Sequence, residues 1–269
     1  MITIWDPTTG LQRGRNSFGH AGAVTSLAFS PGGKLLASGG MDGTVRIGEA
    51  TWTSIPAVLR GHEREVSSVA FSPDGTTLAS AGHDGTIRFW DVAGRREKAV
   101  VRGHTYRVNR SKEETHVIDG ETVTMRVAIP GEMEDQGVQI YGLAYSPDGK
   151  TIATGDRAMY QEGGVSLRDA VTGKEKRATK PSTGGRYPQI EDVNALSFSP
   201  DGKLLAVAGY STIRVVDAGT GKVLVALKTG HHTPIRDLRI SPDGKTLVCA
   251  GEDIQWWDMA TILKSPAED

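Results

Sequence analysis

The sequence predicts an all-β chain assembled from repeated four-stranded units, and three observations carry that prediction. One unit recurs five times, the composition favours tight turns, and short runs of alternating apolar residues are bounded by Gly- and Asp-containing turns. The most regular part of the unit is seen in AFSPGGKLLASGG from Ala28, AFSPDGTTLASAG from Ala70, AYSPDGKTIATGD from Ala144, SFSPDGKLLAVAG from Ser197 and RISPDGKTLVCAG from Arg239. Its Ser-Pro serines fall at 30, 72, 146, 199 and 241; two intervals are 42, and the other two, 74 and 53, exceed it by 32 and 11 residues. Gly-His pairs place His20, His62 and His231 ten residues before three of these serines, and His104 stands 42 before Ser146, so the longer insertion lies between those two.

Composition narrows the class. With 34 glycines and only 6% aromatic residues in 269, turns outweigh long helices. A net charge of -1 gives no global positive field to recruit nucleic acid or an anionic membrane. The single cysteine, Cys249, excludes an internal disulfide and a thiolate cluster, and the opening MITIWDPTTG has no basic stretch followed by an apolar run, which together predict a cytoplasmic setting. No run of 18 apolar residues offers a spanning helix.

Each unit reads as four strands. In the second, VSSVAFS alternates, Pro73-Asp74-Gly75 turns the chain, TTLASAG follows, Asp84-Gly85 turns it again, and TIRFW and KAVVRG complete the set. A sheet of that size cannot cover both its faces, so neighbouring copies must stack to bury Val66, Val69, Phe71, Leu78, Ile87 and Phe89. Radial repetition satisfies that demand and yields a propeller.

Gly-His, Ser-Pro-Asp-Gly, Asp-Gly and Trp-Asp at a period of 42 resemble the WD-repeat β-propeller family over nearly the whole chain, and the near-identity of the repeats is similar to its bacterial members. The resemblance implies strands a, b and c between Gly-His and Trp-Asp, with an outer strand d following. It implies a WD-repeat β-propeller of five four-stranded blades plus an N-terminal half blade, as an open arc or incomplete ring. The half blade is 1–19, and the blades are about 20–60, 61–102, 103–178 with an insertion near 105–137, 179–229 and 230–269. ITIWDPTTGLQRGRNSFGH supplies a strand c and a strand d, and MATILKSPAED is a poor strand d for the last blade. Residues 11–18 could instead serve as that blade's strand d.

The family's structural tetrad maps onto His62, Ser80, Asp84 and Trp90. His20, Ser38 and Asp42 match in the first repeat, where Gly48 replaces the tryptophan; His231, Asp253 and Trp257 match in the fifth, where Cys249 replaces the serine. Arg168-Asp169 and Val216-Asp217 stand in place of Trp-Asp in the third and fourth, which should be held by packing instead. The same residue types suggest a hydrolase, but a catalytic Ser/His/Asp set occurs once and needs an oxyanion donor and open access, whereas this one is repeated. Gly149-Lys150-Thr151 and Gly244-Lys245-Thr246 lack the earlier glycine of a phosphate loop and read as a–b turns. His231-His232 has no metal-site spacing, and Glu113-Glu114 and Glu134-Asp135 read as solvated, loop-like carboxylates. No cofactor, metal or catalytic residue is predicted.

Function is sought where the repeat is broken. THVIDGETVTMRVAI, with Asp119-Gly120 as its turn, predicts a hairpin over 115–129 inside the insertion. The b–c connection DRAMYQEGG and the d–a loop KPSTGGRYPQIED bring Met159, Tyr160, Arg186 and Tyr187 to the same face as the hairpin and Tyr106. Aromatic residues and arginine are the types enriched at binding hot spots. Residues 113–135 are mainly acidic and 174–186 mainly basic, which adds a bipolar character to that face. The expected function is a non-enzymatic scaffold that binds protein or peptide partners through the face bearing the d–a and b–c loops. The alternative is a regulatory propeller segment of a larger signalling enzyme such as a bacterial kinase.

Overall fold

The computed structural model describes residues 2–6, 8–16, 18–51, 54–103, 105–118, 121–157, 164–179 and 193–264, with the backbone alone for 13, 15–16, 105–118, 121–137, 157 and 178–179. The chain opens with a two-stranded antiparallel ribbon, β1 (Ile2–Trp5) and β2 (Gln12–Asn16). The first blade is β3 (Val24–Phe29), β4 (Leu35–Gly40), β5 (Val45–Glu49) and β6 (Ala57–Leu59), and the second is β7 (Val66–Phe71), β8 (Thr77–Gly82), β9 (Thr86–Asp91) and β10 (Arg96–Arg102). A separate hairpin of β11 (Thr105–Ile118) and β12 (Glu121–Gly137) precedes the third blade. That blade is β13 (Gln139–Tyr145), β14 (Thr151–Arg157), β15 (Val165–Asp169) and β16 (Glu175–Thr179). The fourth is β17 (Ala195–Phe198), β18 (Leu204–Ala208), β19 (Thr212–Asp217) and β20 (Val223–Lys228). The fifth has β21 (Asp237–Ile240), β22 (Thr246–Ala250) and β23 (Ile254–Asp258), followed by α1 (Met259–Ile262). In every blade the strands are antiparallel and lie in chain order, a to d in the first four and a to c in the fifth among the described residues.

The fifth sheet thus contributes three strands among the described residues, and Met259–Ile262, at the start of the stretch read as a poor strand d, forms a single helical turn. The reason is local: Asp258 caps it, its carboxylate accepting the Thr261 N–H at 2.8 Å, while Met259 and Ile262 are buried against the blade. β2 pairs with β1 and with no strand of the fifth blade, so residues 12–16 form strand d of a half blade.

The a–b turns show why the Ser-Pro-Asp-Gly stretch repeats. Ser146 donates its hydroxyl to Asp148 at 2.6 Å and accepts the Thr151 N–H at 2.9 Å, while Asp148 also accepts the Lys150 N–H at 3.0 Å. Gly149 takes φ +70°, a conformation that any other residue adopts only with strain. The Ser146 hydroxyl and the Lys150 N–H hold the Asp148 carboxyl below the usual range. Successive turns also touch, because Pro31, Pro73, Pro147 and Pro200 each lie beside the glycine of the next blade's turn, at Gly75, Gly149, Gly202 and Gly244.

Stacking of blades builds the core by one rule repeated five times. Strand c of one unit packs on strands a and b of the next: Ile2 and Ile4 on Leu36, Val45 and Ile47 on Val69 and Leu78, and Ile87 and Phe89 on Ile140 and Ile152. Val165 and Leu167 pack likewise on Leu196 and Leu205, and Ile213 and Val215 on Leu238 and Leu247. Each such side chain contributes about 1.5–3 kcal/mol when fully buried. Side-chain hydrogen bonds stitch neighbouring a strands at the axis: Thr25 donates to the Val66 carbonyl, Ser67 to that of Ile140, and Ser197 accepts the Ile240 N–H at 3.0 Å. The five a strands and Ile2 surround one central cavity of about 360 Å³.

The fit at these interfaces is tight enough to be tested. A Cβ added at Gly155 of β14 would stand 2.7 Å from the Cβ of Val193 across the blade interface, whereas one at Gly32 meets open space. Gly155→Ala should lower stability by about 1–3 kcal/mol through overpacking and Gly32→Ala should be nearly neutral, as read from denaturant midpoints.

Candidate functional site

Strand order places the d–a and b–c loops on one face, and a chain of buried polar groups ties them together. In the second blade Trp90 on strand c donates its indole N–H to Ser80 Oγ on strand b at 2.8 Å, and Ser80 Oγ lies 2.8 Å from His62 Nε2 of the d–a loop. His62 Nδ1 is 2.9 Å from Asp84 Oδ2 of the b–c loop. An ionised carboxylate only accepts, so Nδ1 carries the hydrogen, and in the neutral ring Nε2 accepts from the Ser80 hydroxyl. Asp84 also accepts the backbone N–H groups of Glu63 and Thr86 and the Thr86 hydroxyl. Burial opposes ionisation of Asp84, but the hydrogen bonds from His62 and Thr86 outweigh that and hold the carboxyl well below the usual range.

The contacts Asp–His–Ser are those of a hydrolase triad, and the surroundings deny that chemistry. Ser80 has no solvent exposure, and one lone pair of its Oγ is committed to Trp90. A nucleophile so placed has no approach for a substrate carbonyl.

The first blade repeats the set without tryptophan: His20 lies 2.9 Å from Asp42 and 2.7 Å from Ser38. Pro56 and Phe18 close over Gly48, where the indole would have stood. The fifth blade does not assemble it. There His231 accepts the Glu252 N–H on Nδ1 at 3.2 Å and turns Nε2 toward both Cys249 Sγ at 3.8 Å and Asp253 at 3.4 Å. A thiol is a weak partner, so nothing fixes the ring as serine does, and Trp257 packs on the blade core. In the third blade Arg168 fills the tryptophan position, buried and paired with Glu175 at 3.1 Å, and in the fourth Val216 joins the apolar core.

Two contributors went unrecognised in sequence. Thr44 and Thr86 donate hydroxyls to Asp42 and Asp84 at 2.7 and 2.8 Å, and their signal is Asp-Gly-Thr, present in both assembled blades and absent from Glu252-Asp253-Ile254. Gly40 and Gly82 leave room for the histidine rings: a Cβ at Gly82 would stand 2.8 Å from His62 Nδ1.

Above these ties lies the outer surface of the face. The β11–β12 hairpin occupies the d–a connection of the third blade and is paired from Thr105↔Gly137 to Ile118↔Glu121. Its strands run the full insertion, a reach of roughly 45 Å at the usual rise, so it is far longer than 115–129. Glu113-Glu114 and Glu134-Asp135 fall within these strands instead of loops. Tyr106 belongs to β11 by its backbone, opposite Gln136, whereas Met159, Tyr160, Arg186 and Tyr187 lie outside the described residues. Among those that are described, Met41 and Tyr210 are exposed in b–c loops, and the Tyr210 hydroxyl donates to the His232 carbonyl at 2.6 Å. The rings of His83 and of Tyr141 in the next blade meet at a tilt of 44° with their centroids 4.4 Å apart. Tyr141, Asn194 and Arg236 line the central cavity. No group of three or more His, Cys, Asp or Glu side chains among the described residues could hold a metal ion, and no helix among them is long and apolar enough to cross a membrane.

A sequence profile described as WD domain, G-beta repeat matches residues 13–47, 54–91, 188–217 and 222–255, together half of the chain. The chain belongs to the WD40 repeat family. The matched stretches omit the hairpin insertion, the part that departs furthest from the WD40 period. The chain is 30% identical over 114 residues to the WD repeat-containing protein SL1-17 of Schistosoma mansoni, covering 42% of this chain and 34% of that protein. It is 33% identical over 125 residues to Centriole proteome protein 16 of Chlamydomonas reinhardtii, covering 45% of this chain and 5% of that protein. Both are eukaryotic, so the bacterial character suggested by the repeats finds no support in them.

The tetrad of this WD40 chain gives a stability prediction. His62→Ala should cost about 1–3 kcal/mol by leaving Ser80 and Asp84 short of a partner, and an unchanged denaturant midpoint would contradict the geometry. Because the folded Asp42 and Asp84 carboxyls lie below the unfolded value of about 3.9, their stabilisation is complete above that pH and is lost as the pH falls below it. The wild-type midpoint should therefore drop on acidification, and less steeply in Asp84→Asn.

Proposed function

We propose that this WD40 chain is a non-enzymatic interaction scaffold that holds protein or peptide partners on the face of its d–a and b–c loops. The hairpin is its arm, and Tyr106, Met159, Tyr160, Arg186 and Tyr187 are its contacts. The supporting observation is the hairpin itself. It breaks the repeat at one d–a loop while the third blade beneath it keeps four strands and a buried core. Loops vary freely over such a scaffold, whereas the opposite face is tiled with near-identical Ser-Pro-Asp-Gly turns that offer a partner little to distinguish. WD40 propellers are generally non-catalytic, and the closed state of the Ser80 site agrees with that reading. The proposal needs no cofactor, nucleic acid or membrane, and a cytoplasmic setting suits the lone buried Cys249.

A second reading draws on the comparisons. The chain spans about a third of one relative and a twentieth of the other, so the same face could serve as the regulatory segment of a larger signalling enzyme.

The proposal is tested by capture from native lysate with the intact chain, with residues 110–134 replaced by a short Gly/Ser link, and with Tyr160→Ala, Tyr187→Ala. Truncating a hot-spot aromatic commonly costs at least about 2 kcal/mol, roughly thirtyfold in affinity, with little effect on folding. The altered proteins should lose partners that the intact one retains. Equal capture by all three would remove this face as the docking site.

A further inference from the structure

One position of the repeat changes character around the axis. It lies five residues before each Ser-Pro serine and is occupied in turn by Thr25, Ser67, Tyr141, Asn194 and Arg236. In the first three blades the register of strands a and b shifts at this residue, between Val24 and Ser26, Val66 and Ser68, and Ile140 and Gly142. A bulge of this kind re-aims its side chain. All five residues line the central cavity of about 360 Å³. Strand a begins at the d–a loop, so they form a rung at the loop-bearing end of that cavity.

Two of the five have a structural duty. The hydroxyls of Thr25 and Ser67 donate to the Val66 and Ile140 carbonyls and tie each strand a to the next. On the three consecutive blades that follow, the rung carries longer groups: a phenol, an amide and a guanidinium. The Tyr141 hydroxyl donates to Gln139 Oε1 at 2.9 Å and its ring meets that of His83, while Asn194 Nδ2 donates to the Gly209 carbonyl at 3.2 Å. Both are thereby held in place with capacity to spare. Tyr141 Oη keeps a lone pair, and Asn194 keeps its oxygen and a second amide hydrogen. Arg236 is exposed, and no described residue pairs with its guanidinium.

Charge selects the ligand. Among the described residues the charged groups along the cavity are Arg236, Asp237 and Arg239, and Asp237 is held by Arg239 and by the Leu238 N–H, each at 2.8 Å. Arg236 therefore remains as the cation without a counter-charge. One guanidinium matches one carboxylate in a bidentate pair, whereas a phosphate group, more highly charged, calls for a cluster of cations. The acceptors beside these donors have no use for a bare anion, but a peptide N–H supplies what they need. We propose that this rung, at the centre of the loop-bearing face on which the proposed function rests, holds the C-terminal residue of a partner peptide. Arg236 and the second Asn194 hydrogen take the terminal carboxylate, and Tyr141 Oη and Asn194 Oδ1 accept the amide N–H on the same Cα. A chain terminus enters end-on, and a cavity near the lower end of the usual range for ligand pockets has room for roughly one or two residues.

The probe is a pooled library of acetylated tripeptides with free C-terminal carboxylates, equilibrated by dialysis against the full chain beside the same library as C-terminal amides. The chain should retain acids and release their amides. Arg236→Gln alters an exposed side chain, so it should leave the melting temperature unchanged while cutting retention at least about tenfold. Inorganic phosphate at the same concentration should not displace the acids. The chain with residues 110–134 replaced by the Gly/Ser link should retain them as well as the intact chain does, which lets this site and the hairpin arm fail separately. Absence of retention, equal retention of acids and amides, or unchanged retention by Arg236→Gln overturns the proposal. So does retention confined to peptides with Asp or Glu side chains, displacement by phosphate, or loss of retention together with the hairpin.

Discussion

A four-stranded antiparallel sheet with apolar residues on both sides cannot bury either side by itself, and the whole molecule follows from that constraint. Each blade depends on a neighbour: strand c of one supplies branched or aromatic side chains, and strands a and b of the next receive them. The small residues of the LASGG and LASAG stretches are consequences of it, since at Gly39 and Gly155 even a methyl group would press on Val66 and Val193. Stability is therefore a sum over neighbours, and a blade at the end of the row holds only part of it.

Polar ties act on a shorter scale. The Trp90–Ser80–His62–Asp84 chain fixes a d–a loop to a b–c loop from beneath, and it does so by pairing polar groups that are buried. Blades that lack it substitute other contacts: the buried Arg168–Glu175 pair in the third and an apolar Val216 in the fourth. The fold tolerates these exchanges because the blade interfaces carry the larger share of the burial. Freed from packing duties, the loop tips above the ties can diverge, which is where the hairpin arises.

Much of this was legible in the sequence because repetition multiplies a weak signal. A single Ser-Pro-Asp-Gly stretch is a turn; five related turns, two successive pairs of them 42 residues apart, specify blades, and the 32-residue excess in one interval marks the hairpin. The hairpin's extent was not legible, because Glu113-Glu114 and Glu134-Asp135 look like loop residues until cross-strand pairing carries them into the ribbon. The fifth blade's tetrad misled for a different reason. His231, Asp253 and Trp257 stand at the right intervals, yet the Cys249 thiol replaces a hydroxyl bond with a weaker contact, and the ring offers Nε2 instead of Nδ1 to the aspartate, an orientation that spacing does not encode. Nor could α1 be told from a frayed strand, since its cap, Asp258, is also the aspartate of Trp-Asp.

The dependence of each blade on its neighbours is tested most directly by amide hydrogen exchange resolved by strand. Amides of β8 and β9, covered on both faces, should exchange slowest. Those of β22 and β23, covered on one face only, should open at lower free energy, and the ribbon of β1 and β2 should exchange faster still. Equal protection of the second and fifth blades, or greater protection of the fifth, would contradict the account.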